Sequence, residues 1–317
     1  MKTNLLMTTF VICLFANAVS TGISVQAEET THRFLACGQQ TYIMGADGKK
    51  EWTYPRKTRD GYVLDDGTIV LALNKFKKYP GGAVVRIALD GNETLIWKGT
   101  QSEVNSVEPT AEGTYVITEA GDHPRLIELS AIGKILVEFP LACQTKNHHM
   151  QTRMTRKLDD GTYLAPHLLD FAVFQYDRDG GILGKLDTTV PGDPKHEIHS
   201  WPFTAIRHGD GHTLVCCTHS KRVVDFDRDG KIVWTLTNED LPGEWLQDPC
   251  GAQVLPNGNF VITSYAAGRI DPNAPKLIEI TRDKDVVWTY SDGKKVGIHH
   301  FQILSTNGKR LTGHPNK

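Results

Sequence analysis

Thirteen histidines are spread along this chain of 317 residues, and four of them form adjacent pairs, His148-His149 and His299-His300. Each pair opens a similar tetrapeptide, His-His-Met-Gln in one place and His-His-Phe-Gln in the other. An imidazole can transfer protons near neutral pH, bind a metal ion or attack as a nucleophile. Spacing alone does not choose among these chemistries, so the elements that position the histidines must be found first.

Other polar and aromatic residues could bind a ligand beside these histidines. Arg153 could hold a carboxylate or a sulfate through two parallel hydrogen bonds. Trp201 could stack on a sugar or an aromatic ring. Further candidates with polar side chains are Arg59, Asp60, Glu103, Asn105 and Asp248. Each could equally belong to a structural ion pair or fill the core.

Two hairpin patterns recur six times and supply the elements that hold these residues. The clearest copy of the first is Arg222 to Leu236, in which two apolar-rich strands flank an Asp-Gly turn. Glycine accepts the positive φ of such a turn without steric cost. The copies span residues 41–54, 83–99, 125–139, 172–186, 222–236 and 276–290. In the last copy Lys284 takes the place of the turn glycine.

The second pattern, again two apolar strands around a glycine turn, lies between the copies of the first. Its copies span residues 62–73, 104–118, 153–166, 203–217, 252–263 and 301–313. Each full unit therefore has four short strands in about 42 to 54 residues, the size of a propeller blade. Helical periodicity is nearly absent, which excludes a doubly wound α/β fold. The sequence predicts an all-β, six-bladed β-propeller of four-stranded blades.

The order of the patterns predicts how the ring closes. Residues 33–54 supply only the three outer strands of a blade, and the tail from His299 supplies its inner strand. Residues 309–313 are a candidate for an extra strand. Strands from both ends of the chain would then complete one blade and remove the exposed edges of an open ring. Residues 28–317 are expected to form this single domain.

In a propeller with strands A to D from the channel outward, the D-to-A connections and the B-to-C loops share one face. Nine histidines fall in those segments: His123, His148, His149, His167, His196, His199, His219, His299 and His300. Only one of each adjacent pair should face the channel, because neighbouring strand residues point in opposite directions.

A ligand site is therefore expected at one mouth of the channel. We expect His149, His199 and His300 to converge there as the candidate catalytic residues. The candidate ligand-binding residues are His148, His299, Arg153, Trp201, Asn105 and Asp248.

The repeated Asp-x-x-Gly-Lys-x-x-Trp motif resembles that of the pyrroloquinoline-quinone-like (PQQ-like) propeller superfamily, and the resemblance covers essentially all of residues 28–317. The resemblance implies that the closing tryptophans, Trp52, Trp97, Trp234 and Trp288, dock neighbouring blades. The histidine pairs are also similar to those of arylsulfotransferase-type propellers, where an axial histidine accepts a sulfuryl group. Such propellers would have polar residues on every inner strand, and this chain has them only in part, since Phe203 and Ala252 occupy two of the comparable positions. Fold analogy is weak support for an activity.

Three functions remain open at this stage. The favoured one is a propeller that binds a glycan or another small polar ligand. The alternatives are an arylsulfotransferase-like enzyme and a metal-assisted polysaccharide lyase or hydrolase with histidine ligands. The cofactor is not identified by the sequence, although a divalent metal would suit the last alternative. PQQ is not expected, because the known quinone enzymes that have adjacent cysteines use eight blades. Cys216-Cys217 instead lies within a strand pattern that would place the two side chains on opposite faces.

The N-terminus has the pattern of a secretory signal peptide over residues 1–27. An apolar run from Leu5 to Ala16 precedes a small-x-small cleavage site, Val25-Gln26-Ala27. The run is shorter than the ~20 residues of a spanning helix. We therefore expect an exported, periplasmic or extracellular monomer without membrane insertion. The mixed charge, with a formal net value of -2, does not suggest a nucleic-acid partner.

Overall fold

The computed structural model describes residues 29–189, 200–209 and 211–317. The predicted signal peptide and two of the candidate histidines, His196 and His199, lie outside the described residues. The described strands form six antiparallel sheets, each of them one blade of a β-propeller. The predicted six-bladed, all-β fold is therefore confirmed.

Blade 1 joins the two ends of the described chain. Its strands are β1 (His32–Gly38), β2 (Thr41–Met44), β3 (Lys50–Tyr54), β24 (Ile298–Thr306) and β25 (Lys309–Arg310). The inner strand β24 pairs with β1 along its whole length, so the predicted ring closure is confirmed. The extra strand is shorter than expected, since only residues 309–310 pair with β24.

The other five blades each use four consecutive strands. Blade 2 has β4 (Thr58–Val63), β5 (Ile69–Leu73), β6 (Ala83–Ile87) and β7 (Glu93–Lys98). Blade 3 has β8 (Glu103–Pro109), β9 (Tyr115–Ala120), β10 (Arg125–Leu129) and β11 (Ile135–Pro140). Blade 4 has β12 (Arg156–Lys157), β13 (Tyr163–His167), β14 (Ala172–Tyr176) and β15 (Ile182–Asp187).

Blade 5 has β16 (Ser200–His208), β17 (His212–His219), β18 (Arg222–Phe226) and β19 (Ile232–Leu236). Blade 6 has β20 (Ala252–Val254), β21 (Phe260–Thr263), β22 (Leu277–Ile280) and β23 (Val286–Tyr290). The helical segments among the described residues are short: two 3-10 turns, His148–Met150 and Asn238–Asp240, and one α-helix, Ala267–Ile270. No helix in the described ranges is long and apolar enough to cross a membrane.

The turn glycines of both patterns adopt the left-handed backbone conformation that their sequences predict. Their φ angles lie between 74° and 91°. Lys284 has a φ of 73°, so it adopts the same conformation although it carries a Cβ. The tight hairpin turns therefore follow directly from the sequence pattern, including the copy in which the glycine is missing.

Apolar side chains fill the space between each pair of neighbouring blades. Six of the buried clusters each combine residues of two adjacent blades. Because successive strand residues point to opposite faces, one strand supplies two such interfaces. Cys216 packs toward blade 6 and Cys217 toward blade 4, as the strand pattern predicted. The closing tryptophans also reach across, and Trp234 donates a hydrogen bond to the carbonyl of Arg282 at 2.8 Å.

Candidate ligand site at the channel mouth

A β-bulge near the start of the inner strand recurs in several blades, and it turns one side chain of each such strand out of the regular alternation. In four blades the pairing of the inner strand with its neighbour shifts by one residue at this point. The residues left without a cross-strand partner are Arg59, Asn105, Phe203 and His299. Such bulges re-aim side chains and often lie beside functional sites. Arg153 takes the corresponding place in blade 4, one residue after the bridge between Thr152 and His167.

A cavity of about 310 Å³ opens at this end of the channel, and we call it the mouth cavity. Five blades contribute to its wall through D-to-A connections, B-to-C loops and the first residues of inner strands. Its polar and aromatic lining residues are Gln39, Thr58, Arg59, Asn74, His149, Arg153, Trp201, Phe203, Thr218, His219, Asp248, Tyr265 and His299. This volume is at the lower end of the range found for small-molecule sites.

One wall of the mouth cavity is an ion-pair network centred on Glu103. Its carboxylate accepts a hydrogen bond from Arg59 Nη2 at 2.9 Å and lies 3.2 Å from Lys75 Nζ. His149 Nδ1 lies 3.1 Å from the same carboxylate. Burial alone would raise the pKa of Glu103, but the His149 hydrogen bond and the Arg59 charge lower it to about 2. Glu103 is therefore a fixed anion that orients Arg59 and His149.

Arg153 is fully buried beside this network and has a different set of partners. Its Nη1 donates to the carbonyl of Thr152 at 2.7 Å, and its Nη2 donates to the carbonyl of His149. Among the described residues, no carboxylate lies within 4.0 Å of its guanidinium nitrogens. Burial and the neighbouring Arg59 charge lower the pKa of Arg153 to about 9, although the nearby Glu103 charge opposes the shift. A buried cation that no carboxylate contacts directly is unfavourable unless another group offsets its charge.

The opposite wall is aromatic. The indole of Trp201 stacks on the imidazole of His219, with ring centres 4.3 Å apart and planes within 3°. Asp248 Oδ1 accepts a hydrogen bond from the His219 backbone N–H at 3.2 Å. Asp248 itself has a φ of 51°, a strained conformation of the kind that is frequent at ligand sites.

His299 lies between two aromatic rings of the cavity. The Phe203 and Tyr265 rings meet its imidazole edge to face, at centroid distances of 4.7 and 5.1 Å. Its Nδ1 is buried and has no hydrogen-bond partner within the part of the chain that the structure describes. Burial, followed by the charges of Arg59 and Arg153, lowers the pKa of His299 well below its ordinary value. The imidazole is therefore neutral near pH 7.

The predicted convergence of His149 and His300 is not found, because His300 points away from the mouth cavity. Its Nδ1 lies 3.1 Å from Lys317 Nζ and 3.5 Å from Asp60 Oδ1. The register shift in β24 leaves His299 unpaired and places His300 opposite Cys37. His299, the other member of the pair, is the one that lines the cavity. His199 lies outside the described residues.

Some of the remaining candidate residues line the cavity, and others lie outside it. Arg153, Trp201 and Asp248 line the cavity, whereas His148 does not and instead lies 3.1 Å from Asp122 Oδ1. Asn105 is also absent from the lining. It is fully buried, and its Nδ2 donates to the carbonyl of Thr152 at 3.1 Å, so it braces the turn that carries Arg153.

Several lining residues were not among the predicted site residues, including Phe203, His219, Cys250 and Tyr265. The order of strands and loops predicts His219 on this face and Phe203 on an inner strand, but it gives neither residue a role. Cys250 lies in blade 6 at the place that Phe203 takes in blade 5, a spacing that could have identified it. Tyr265 comes from a loop that shows no comparable pattern. Among the described residues, the histidines of the cavity do not bring three metal-binding donor atoms close enough together to hold an ion.

The last described residues lie at the opposite end of the channel. Val254 N–H donates to the carbonyl of Asn316 at 2.9 Å, and Arg156 Nε donates to the carbonyl of Lys317 at 2.6 Å. The Lys317 side chain is buried beside Asp60, Arg156 and His300. We call these four residues the channel cluster.

Comparisons with known proteins support the fold alone. No family model matches the chain, and no curated protein matches it. A Bacteroides caccae protein of unknown function superimposes with a TM-score of 0.73 at 20% identity, covering 86% of this chain and 98% of that one.

Two further structures are similar propellers. A catalytically inactive virginiamycin B lyase from Staphylococcus aureus, solved with quinupristin, has a TM-score of 0.56 at 13% identity. The superposition covers 83% of this chain and 85% of the lyase chain. The nidogen/laminin complex contains a chain with a TM-score of 0.60 at 12% identity, covering 89% of this chain and 100% of that one. These neighbours are β-propellers and do not single out the PQQ-like or arylsulfotransferase-like families.

Proposed function

We propose that this protein is an exported propeller whose mouth cavity binds a small ligand with an anionic group next to a sugar or aromatic ring. The observation that carries the proposal is Arg153, which is buried at the cavity wall with no carboxylate of the described residues within 4.0 Å, although Glu103 acts on it from a greater distance. An anion in the cavity would give it a direct charged partner, and charge-assisted hydrogen bonds to arginine are among the strongest in proteins.

The rest of the cavity suits the same class of ligand. Arg59 adds a second guanidinium, held in place by Glu103. The aromatic wall of Trp201, Phe203 and Tyr265 offers surfaces on which a flat ring or the apolar face of a sugar can pack. A volume of about 310 Å³ limits the ligand to a small molecule or the end of a longer chain.

A second candidate is an enzyme of the arylsulfotransferase-like type, favoured by the neutral imidazole of His299. Among the described residues its Nδ1 has no hydrogen-bond partner, and the cationic Arg59 and Arg153 lie near the imidazole. Because Nδ1 is buried, it could accept a proton or a sulfuryl group only where a bound ligand displaced the side chains that cover it. One similar propeller, 13% identical to this chain, is a lyase, so a propeller of this general shape can carry an active site.

One set of matched compounds tests both candidates. Binding of para-nitrophenyl sulfate, para-nitrophenyl glucuronide and the uncharged para-nitrophenyl glucoside is measured by calorimetry. We expect the two anions to bind about tenfold or more tightly than the glucoside, the size of one charge-assisted hydrogen bond. Equal affinities for all three, or no binding of the anions, would contradict the proposal. Release of nitrophenol from the sulfate, with phenol as acceptor, would favour the enzyme.

A further inference from the structure

A second cluster of reactive side chains lies in blade 4, apart from the mouth cavity. Cys143 follows β11, His167 ends β13, and Asp170 lies in the short loop that leads to β14. One donor atom from each of the three residues lies within 4.8 Å of the other two. Within the described part of the chain, these residues form the group of histidine, cysteine and acidic side chains that is close enough to hold a metal ion.

The cluster is enclosed and is not a chance grouping of surface acids. The side chain of His167 is fully buried, that of Asp170 is 9% exposed, and Cys143 is partly buried. His167 Nδ1 lies 3.0 Å from Asp170 Oδ2. Two ligand atoms of a tetrahedral zinc site, each about 2 Å from the ion, are separated by little more than that.

Neighbouring groups hold the donors in orientation. The far nitrogen of His167, Nε2, lies 3.2 Å from the hydroxyl of Tyr176, and that hydroxyl accepts the N–H of Ala142 at 3.1 Å. The N–H of Gln144 lies 3.3 Å from both carboxylate oxygens of Asp170. Partners of this kind fix ring orientation and carboxylate geometry at metal sites.

We propose that Cys143, His167 and Asp170 bind a transition-metal dication, with Zn²⁺ the ion that suits this mixed sulfur, nitrogen and oxygen set. With zinc on Nδ1, the Nε2–H of His167 would donate to Tyr176. The thiol of Cys143 loses its proton when the ion binds, and the cation offsets the repulsion between thiolate and the Asp170 carboxylate. Three protein ligands leave a fourth position for water or another small ligand.

Cobalt absorption gives a direct test, because Co²⁺ replaces Zn²⁺ and reports its own ligands. The purified, reduced protein is treated with a chelator, dialysed and titrated with Co²⁺. We expect a near-ultraviolet thiolate-to-cobalt charge-transfer band together with the visible bands of four-coordinate cobalt, all displaced by one equivalent of Zn²⁺. Absence of the charge-transfer band in the folded wild-type protein would overturn the proposal.

Variants assign the band to this cluster. Cys143→Ser should remove it, and Asp170→Asn should weaken Co²⁺ affinity about tenfold or more while the thiolate band remains. Cys216→Ala, in the core between blades 5 and 6, should retain the band and serves as the matched cysteine control. Persistence of the band in Cys143→Ser would overturn the proposal. Circular dichroism checks folding, and Asp170→Asn remains informative where Cys143→Ser does not fold.

Discussion

Nζ of Lys317 lies 3.1 Å from Oδ1 of Asp60, and both side chains are buried in the centre of the ring. Arg156 Nη1 lies 3.1 Å from the other carboxylate oxygen. Burial alone would raise the pKa of Asp60, but the charges of Arg156 and Lys317 hold it well below its ordinary range. This pair ties the C-terminal segment to the inner strand of blade 2 and also holds His300 away from the mouth cavity.

Asp60→Asn should therefore destabilise the fold strongly. The amide keeps the shape of the carboxylate but removes the anion that Arg156 and Lys317 contact directly, leaving only Glu108, among the described residues, as a buried carboxyl group near them. Breaking a buried ion pair in this way costs about 3–5 kcal/mol. The free energy of unfolding is measured by denaturant titration. The matched control is Asp65→Asn, which removes an exposed pair with Arg310 and should cost less than about 0.5 kcal/mol. Equal losses in the two variants would contradict the role of the channel cluster.

Glu108 gives the fold a dependence on pH. Burial raises its pKa to about 7, although Arg156 and the Lys157 N–H oppose the shift. Lys317, Asp60 and His314 also face this carboxyl group. The folded-state pKa of Glu108 lies above its ordinary value of 4.5. The protonated Glu108 side chain therefore contributes its full stabilisation below pH 4.5, and this stabilisation is lost as the pH rises through about 7.

Glu108→Gln mimics the protonated form at every pH. Its stability relative to the wild type should therefore rise as the pH increases from 4.5 to 7. Unfolding free energies of both proteins across that range check the prediction, because other titrating groups cancel in the difference. Glu112→Gln is the control, since Glu112 is exposed and its pKa is lowered, so its difference should stay flat over the same range. A flat difference for Glu108→Gln would show that the carboxyl is ionised throughout.

The fold could be predicted because its signals are local. Each turn needs a residue that accepts positive φ, and each strand alternates its side chains between two blade interfaces, so both leave a mark within a few residues. The strands of the closing blade could be predicted by counting the hairpin units, because the N-terminal unit lacks an inner strand and the C-terminal segment supplies one. Even Lys284, which departs from the glycine pattern, occupies the turn that the repeat assigned to it.

Lys284 allows a test of that turn. A residue with a Cβ in the left-handed region carries a strain of about 1–3 kcal/mol, which glycine avoids. Lys284→Gly and Lys284→Ala both lose the ion pair with Asp240, at 2.9 Å, so their difference isolates the backbone. We expect the glycine variant to be more stable than the alanine variant by about 1 kcal/mol in thermal or chemical unfolding. The opposite order would mean that the turn is not strained.

The candidate site was predicted less completely than the fold. The face of the propeller and the residues Arg153, Trp201 and Asp248 followed from the order of strands and loops. The choice between His299 and His300 did not, because one bulged residue reverses which side chain faces the cavity. The sequence carries no local mark of that bulge. Contacts between side chains of different blades, such as those of Phe203 and Tyr265 with His299, are likewise visible only in three dimensions.

Arg153 provides the sharpest test of the mouth cavity. If it supplies the charge for an anionic ligand, Arg153→Gln should weaken binding of para-nitrophenyl sulfate by about ten- to a hundredfold, the loss of one hydrogen bond to a charged group. Binding of the uncharged glucoside should change little, since the aromatic wall is intact. Arg207→Gln is the matched control, because Arg207 lies at the opposite end of the channel and contacts Gln175. Equal weakening for sulfate and glucoside would instead mean that Arg153 only shapes the cavity through its hydrogen bonds to the Thr152 and His149 carbonyls.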